Sequence, residues 1–181
     1  VLCPSCLRAL EYLEPASAPV AGLDVWAAVA YHGPARTIVR RLKFGGATAL
    51  AENMAATIAA SAPPDLLEHA LVPVPSPRAR RRARGFCHAT LLAEALGERT
   101  GSPVLPLLGR VGQAYRQVGR ARGQRLRSPP RFTASRTGVE EVVLVDDVVT
   151  TGATLGACAR ALREKGWHCG HALAYARTPV R

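Results

Sequence analysis

Four stretches of the chain repeat apolar residues at i, i+3, i+4 and i+7: Ala35/Ile38/Val39/Leu42, Ala51/Met54/Ala55/Ile58, Ala89/Leu92/Ala93/Leu96 and Leu155/Cys158/Ala159/Leu162. That spacing puts four side chains on one helical face, so each stretch predicts an amphipathic helix. The first starts near Pro34 and stops at Gly45-Gly46, and the second ends before Pro63-Pro64. Short apolar runs alternate with the helices and predict strands at Asp24–Tyr31, at Ala70–Pro75, over the run that opens at Val142, and at Cys169–Ala176. Val104–Leu108 and Phe132–Ala134 are further candidate strands, whereas residues 109–128 show no clean period and read as mobile. Strands and helices in alternation predict an α/β fold, a three-layer sandwich around a mostly parallel sheet. In such sheets ligands sit beyond the C-terminal ends of the strands.

The first 22 residues differ from the rest. Cys3-Pro4-Ser5-Cys6 leads into a Pro/Ala/Ser-rich stretch to Pro19 that reads as a linker, so residues 1–22 are set apart from a domain at 23–181. A Cys-x-x-Cys pair supplies half of a tetrahedral zinc site, and no second pair follows. Cys87, Cys158 and Cys169 fall inside predicted elements and are expected in the core. With an odd count of five cysteines, free thiols and an intracellular, cytoplasmic setting are expected. No apolar run approaches the ~18 residues of a membrane span.

Charge changes this picture because it is localised. The net charge is +11, and all but two of the 24 basic residues, Lys43 and Lys165, are arginine. Five of the seven residues from Arg78 to Arg84 are arginine, and no acid interrupts Arg99–Val139. Arginine forks match phosphate oxygens. The plain alternative is a solvated surface; the sharper ones are a polyphosphate substrate or a nucleic acid.

The most informative string is Val142-Val143-Leu144-Val145-Asp146-Asp147-Val148-Val149-Thr150-Thr151-Gly152-Ala153-Thr154. A strand buried on both faces runs into two acids, a hydroxyl-rich loop and a helix start. Helix N-termini leave amides unsatisfied and favour anions, so the loop is a candidate phosphate cradle. Two aspartates beside it would repel phosphate and suit neutral hydroxyls, such as those of a ribose. A second stiff loop, Val74-Pro75-Ser76-Pro77-Arg78, precedes Arg80, Arg81, Arg82 and Arg84 and could hold a pyrophosphate opposite. Neither a Walker loop nor a dinucleotide fingerprint is present.

The long string resembles the phosphoribosyl-pyrophosphate signature of the type I phosphoribosyltransferases. Together with Leu42-Lys43-Phe44-Gly45-Gly46, Val72-Pro73-Val74-Pro75 and Arg82-Ala83-Arg84-Gly85-Phe86, it follows the order seen in the ComF family. That family comprises competence-associated, phosphoribosyltransferase-like proteins with an N-terminal zinc segment. The resemblance implies a type I phosphoribosyltransferase-like fold. It implies that Asp146 and Asp147 contact ribose hydroxyls and that Val149, Thr150, Thr151, Gly152, Ala153 and Thr154 cradle the 5′-phosphate. Pro75, Ser76, Pro77 and Arg78 would lie at the pyrophosphate, with Arg82, Arg84 and Lys43 as cover cations and residues 113–132 in the cover itself. Magnesium would be held by the substrate's own oxygens, and zinc by Cys3 and Cys6. This chain departs from the family's usual Arg-Gly-Phe-Asn-Gln, carrying Cys87-His88, and lacks the usual arginine after Phe44. Thr150 stands where 6-oxopurine transferases carry an aspartate, which argues against their base-assisted chemistry. His88, near the expected site, is expected on a helix surface.

Two functions follow as expectations. One is transfer of a phosphoribosyl group from phosphoribosyl pyrophosphate to an unidentified acceptor. The other is non-catalytic binding of single-stranded DNA during DNA uptake, with a competence helicase or translocase as partner. Sparse aromatics in the basic region, Tyr115 and Phe132, count against base stacking in the second.

Overall fold

A computed structural model describes residues 3–14, 17–44, 48–77, 79, 82–83, 85–111 and 130–179. Four strands, β2 (Leu23–Ala30), β3 (Ala70–Pro73), β6 (Glu141–Val149) and β7 (His168–Arg177), pair in parallel in the order β2-β7-β6-β3. A short strand β1 (Ala18–Val20) adds antiparallel to the outer edge of β2. Helices α2 (Gly33–Phe44), α3 (Leu50–Ser61) and α4 (His88–Thr100) cover one face. Helix α5 (Ala153–Arg163) and a separate two-stranded sheet of β4 (Leu108–Val111) and β5 (Arg131–Ala134) cover the other.

The layers follow from the apolar pattern. All sixteen residues of the four helical repeats are buried. Along β6, Val143 and Val145 join the cluster under α2–α4, while Val142 and Leu144 join the one under α5. This is the two-residue alternation of a strand covered on both sides. A short helix α1 (Pro4–Arg8) stands at the N-terminus.

Two expectations are corrected. The stretch read as a linker is part of the fold: Leu10 is buried, Tyr12 bridges Val29, and Ala30 N donates to Glu11 O at 2.9 Å. Strand β2 would otherwise present unpaired amides along its outer edge, and residues 11–13 and 18–20 satisfy them. The candidate strand at Val104–Leu108 is reduced to one bridge, Val104 to Leu71, and pairing resumes only at Leu108. Pro103 and Pro106 remove the donors a continuous strand would need.

Candidate functional site

Two strand ends and a helix end converge on one crevice. Strand β3 leads into Pro75-Ser76-Pro77, β6 leads into Thr150-Thr151-Gly152, and α2 carries Lys43 in its last turn. Between them lies a cavity of about 490 Å³, whose lining includes Lys43, Ser76, His88, Arg110, Asp146 and Asp147. A dimple of about 50 Å³ adjoins it, bounded by Asp146 and residues 148–155.

The dimple is built by the turn that ends β6. Thr178 N and Oγ1 both donate to Val149 O, at 3.0 and 3.4 Å, fixing the strand's last residue. Gly152 then takes φ +70°, the left-handed conformation that costs any other residue about 1–2 kcal/mol. It also faces a wall: a Cβ there would sit 2.1 Å from Val20 Cγ1. At Gly156 a Cβ would sit 2.9 Å from Ala21 Cβ. The β1–β2 hairpin is thus seated against the start of α5, and Arg163 Nη2 donates to Gly22 O at 3.1 Å to hold its tip. Among the described residues, no hydrogen-bond acceptor meets the amides of Thr150, Thr151 and Gly152, and Ala153 N reaches only Thr151 Oγ1, at 3.5 Å. With the free first-turn amides of α5 these make an anion-binding cradle.

The two aspartates are not equivalent, because consecutive strand residues face opposite sides. Asp147 turns toward α2 and α4 and is buried, with 2% of its surface exposed. Lys43 Nζ lies 2.7 Å from its Oδ2 and His88 Nε2 lies 3.5 Å away. Asp146 keeps part of its surface and borders both the cavity and the dimple, and its Oδ1 accepts from Asp147 N at 2.9 Å. Its carboxyl is nevertheless closely enclosed by neighbouring atoms. That desolvation, followed by repulsion from Asp147, holds it well above the usual carboxylate range, and Lys43 opposes the shift.

Lys43, expected as a cover cation, is therefore the counter-ion of the floor: a carboxylate this buried requires a paired charge. His88, expected on a helix surface, is instead the first residue of α4, only 12% exposed in its side chain, with Nδ1 3.3 Å from Ser76 Oγ. Its helical position gave no signal of this. Pro75, Ser76 and Pro77 line the cavity; Arg82 is exposed; Arg78, Arg84 and residues 113–129 of the expected cover lie outside the described residues. Strands β4 and β5 bracket that segment, and Arg110 on β4 stacks over Phe132, 5.5 Å from the ring centre, while reaching the cavity.

His88, Asp146 and Asp147 place ligand atoms within 4.8 Å of one another. Lys43 already occupies the carboxylate edge at 2.7 Å, so these residues do not form a cage for a protein-held divalent ion. A cation carried in on a phosphate ester needs no such cage. At the N-terminus, the Ser5 hydroxyl 3.0 Å from Cys3 Sγ lowers that thiol to about 7. Among the described residues, no third ligand joins Cys3 and Cys6.

No family model matches the chain. It is 38% identical over 98 residues to competence protein ComFC of Bacillus subtilis (strain 168), covering 53% of this chain and 39% of that protein. It is 35% identical over 106 residues to competence protein F of Haemophilus influenzae (strain ATCC 51907 / DSM 11121 / KW20 / Rd), covering 55% of this chain and 46% of that protein. Over about half its length the chain is similar to these two competence proteins. Its matches span less than half the length of these relatives. Among its described residues, no helix is long and apolar enough to cross a membrane.

Proposed function

We propose that this chain is a ComF-family protein that binds phosphoribosyl pyrophosphate, or a related ribose phosphate, and transfers its phosphoribosyl group to an acceptor. The observation that carries this reading is the pairing of an amide-lined dimple about the size of one phosphate with a neighbouring carboxylate, Asp146, that borders both it and a larger cavity. The 5′-phosphate takes the cradle of residues 149–154. Asp146 accepts the ribose hydroxyls, and Asp147, with Lys43 and His88, braces the floor under it. The pyrophosphate lies along Pro75-Ser76-Pro77, with Arg110 nearby and Arg78, Arg82 and Arg84 adding positive charge. Magnesium, when bound on the substrate's own oxygens, neutralises the leaving pyrophosphate. The chain's residues do the rest: they fix the sugar, hold cations where negative charge develops, and keep water from the anomeric carbon. No general base is required when the acceptor is already a good nucleophile.

Calorimetry with phosphoribosyl pyrophosphate and magnesium tests this. Binding by the wild type that is abolished in Asp146→Asn supports it; absence of binding by the wild type refutes it. Pyrophosphate release against nucleobases and amines then tests turnover.

A second reading has its own support. Both relatives are named competence proteins, and nine arginines without an acid lie in Arg99–Val139. Binding of single-stranded DNA in a competence role would then be electrostatic, falling steeply with salt. It would survive Asp146→Asn unchanged, which separates the two readings. Zinc at Cys3 and Cys6 is tested separately, by metal analysis with and without residues 1–22.

A further inference from the structure

Ser76 sits between two partners that a phosphate-binding loop does not by itself need. The single Cys87 thiol proton has two acceptors in reach, Ser76 Oγ at 3.4 Å and Val74 O at 3.7 Å, the serine being the nearer, and His88 Nδ1 lies 3.3 Å from the same Oγ. The other ring nitrogen, Nε2, lies 3.5 Å from the buried Asp147 carboxylate, whose charge favours a proton there. What remains open is Nδ1. When it is bare, it accepts the serine proton, and Ser76 has only a lone pair to offer the cavity. When it is protonated, it donates to Oγ. The thiol and the ring then use both lone pairs, and the hydroxyl proton must turn to another acceptor.

We infer that Ser76 and His88 form a proton-coupled anion donor. A di- or polyphosphate group bound along Pro75-Ser76-Pro77 takes up a proton at His88, and this turns the Ser76 hydroxyl toward the anion. The choice of ligand rests on the ribose-phosphate reading above; the coupling rests on the Asp147–His88–Ser76–Cys87 geometry. Among the described residues, the charged groups that share the cavity with His88 are Asp146 and Asp147 on β6, Lys43 on α2 and Arg110 on β4. The carboxylates favour the imidazolium, and Lys43 and Arg110 oppose it. A bound polyanion that accepts the Ser76 hydroxyl proton leaves Nδ1 to take up one of its own, and this exchange through Ser76 is the source of the coupling.

The test titrates the full chain with inorganic pyrophosphate and magnesium by calorimetry, in buffers of different ionisation heat, between pH 6.5 and 8.5. The wild type is expected to take up more protons than His88→Gln, by as much as one per site. Its affinity should fall with rising pH by as much as about tenfold per unit beyond the fall seen in His88→Gln, the limit for one linked proton. The comparison between variants removes the ligand's own titration. Ser76→Ala should bind more weakly and lose the extra uptake although His88 remains. In the wild type, the His88 ring resonance should titrate at higher pH once pyrophosphate is bound, a measurement that does not depend on any variant folding. Equal uptake in wild type and His88→Gln, coupling retained in Ser76→Ala, or an unmoved His88 resonance would each overturn the inference. Uncoupled binding with phosphoribosyl pyrophosphate still bound would reject it and spare the broader reading. Coupled pyrophosphate binding without phosphoribosyl pyrophosphate binding would do the reverse, and no binding of either would reject both.

Discussion

Replacing Lys43 with methionine removes the cation from a carboxylate that water barely reaches. Two unit charges 2.7 Å apart, the Lys43–Asp147 separation, attract by about 6 kcal/mol at an effective dielectric near 20. Withdrawing both from water offsets much of this, so the pair's net worth is far smaller than its attraction. The cost of the single change is set instead by what it leaves behind. Asp147, with 3% of its side chain exposed, would keep only His88 as a charge partner among the described residues. Breaking a buried pair costs about 3–5 kcal/mol. Lys43 retains 23% exposure and His88 remains, so the low end, about 3 kcal/mol, is expected. Adding Asp147→Asn to Lys43→Met removes the orphaned charge and should restore about 1–2 kcal/mol, a coupling typical of residues in contact. Urea unfolding of the four members of this cycle at pH 7 measures both quantities. A Lys43→Met loss below about 1 kcal/mol, or strictly additive effects, would show that Lys43 is a solvated cover cation after all.

Three further outcomes are expected. Gly152→Ala should cost about 1–2 kcal/mol from its left-handed φ alone, and more from the collision with Val20. Val20→Ala should relieve only the collision, so thermal melts of the double variant recover part of the loss; full recovery would refute the backbone argument. Asp146→Asn should raise Tm at pH 7–8 while abolishing sugar-phosphate binding. The folded chain holds that proton more tightly than the unfolded one, so stability falls as pH rises from the unfolded carboxylate range through the raised value, and the amide removes that slope; an unchanged melting profile against pH would refute it. Iodoacetamide at pH 7.5 should label Cys3 first, whose thiol lies near 7, and leave Cys158 and Cys169 unlabelled until unfolding, since burial pushes Cys169 up to about 12 and Cys158 higher still. Mass spectrometry of native and denatured samples reads the order.

Periodicity made the helices and the parallel strands legible, because it reports directly which face is buried. The four apolar repeats are core faces without exception, and the run from Val142 does form an interior strand of the sheet. What escaped was structure without a period. Residues 11–20 carry prolines and alanines rather than an alternating pattern, yet they close the open edge of β2 through backbone bonds that any sequence can make. The strand β4 lies just past Pro106, three residues beyond the place its apolar residues suggested. The acids and the threonine loop were located by motif, but composition cannot say that Lys43, from a helix more than a hundred residues upstream, meets Asp147. That contact depends on where α2 ends above the sheet. His88 was misplaced for the same reason: the start of a helix is a surface position unless a strand end and a loop converge on it.

The division between the two aspartates follows from strand geometry alone, and it changes how their variants should be compared. A two-residue period turns Asp146 and Asp147 toward opposite faces, although both border the cavity. Asp147 is already engaged by Lys43 and lies beside His88, whereas Asp146 also borders the dimple. On the proposed ribose-phosphate reading, Asp147 acts on a ligand through its neighbours, by holding the lysine in place and favouring a proton on the facing nitrogen of the imidazole, and Asp146 acts by touching it. Asp147→Asn should accordingly lower stability and uncouple His88 while leaving part of the sugar-phosphate affinity. Asp146→Asn should raise stability and remove that affinity. Equal losses of binding in both variants, with stability unchanged in each, would mean that the acids face the ligand together and that the strand bends at this pair.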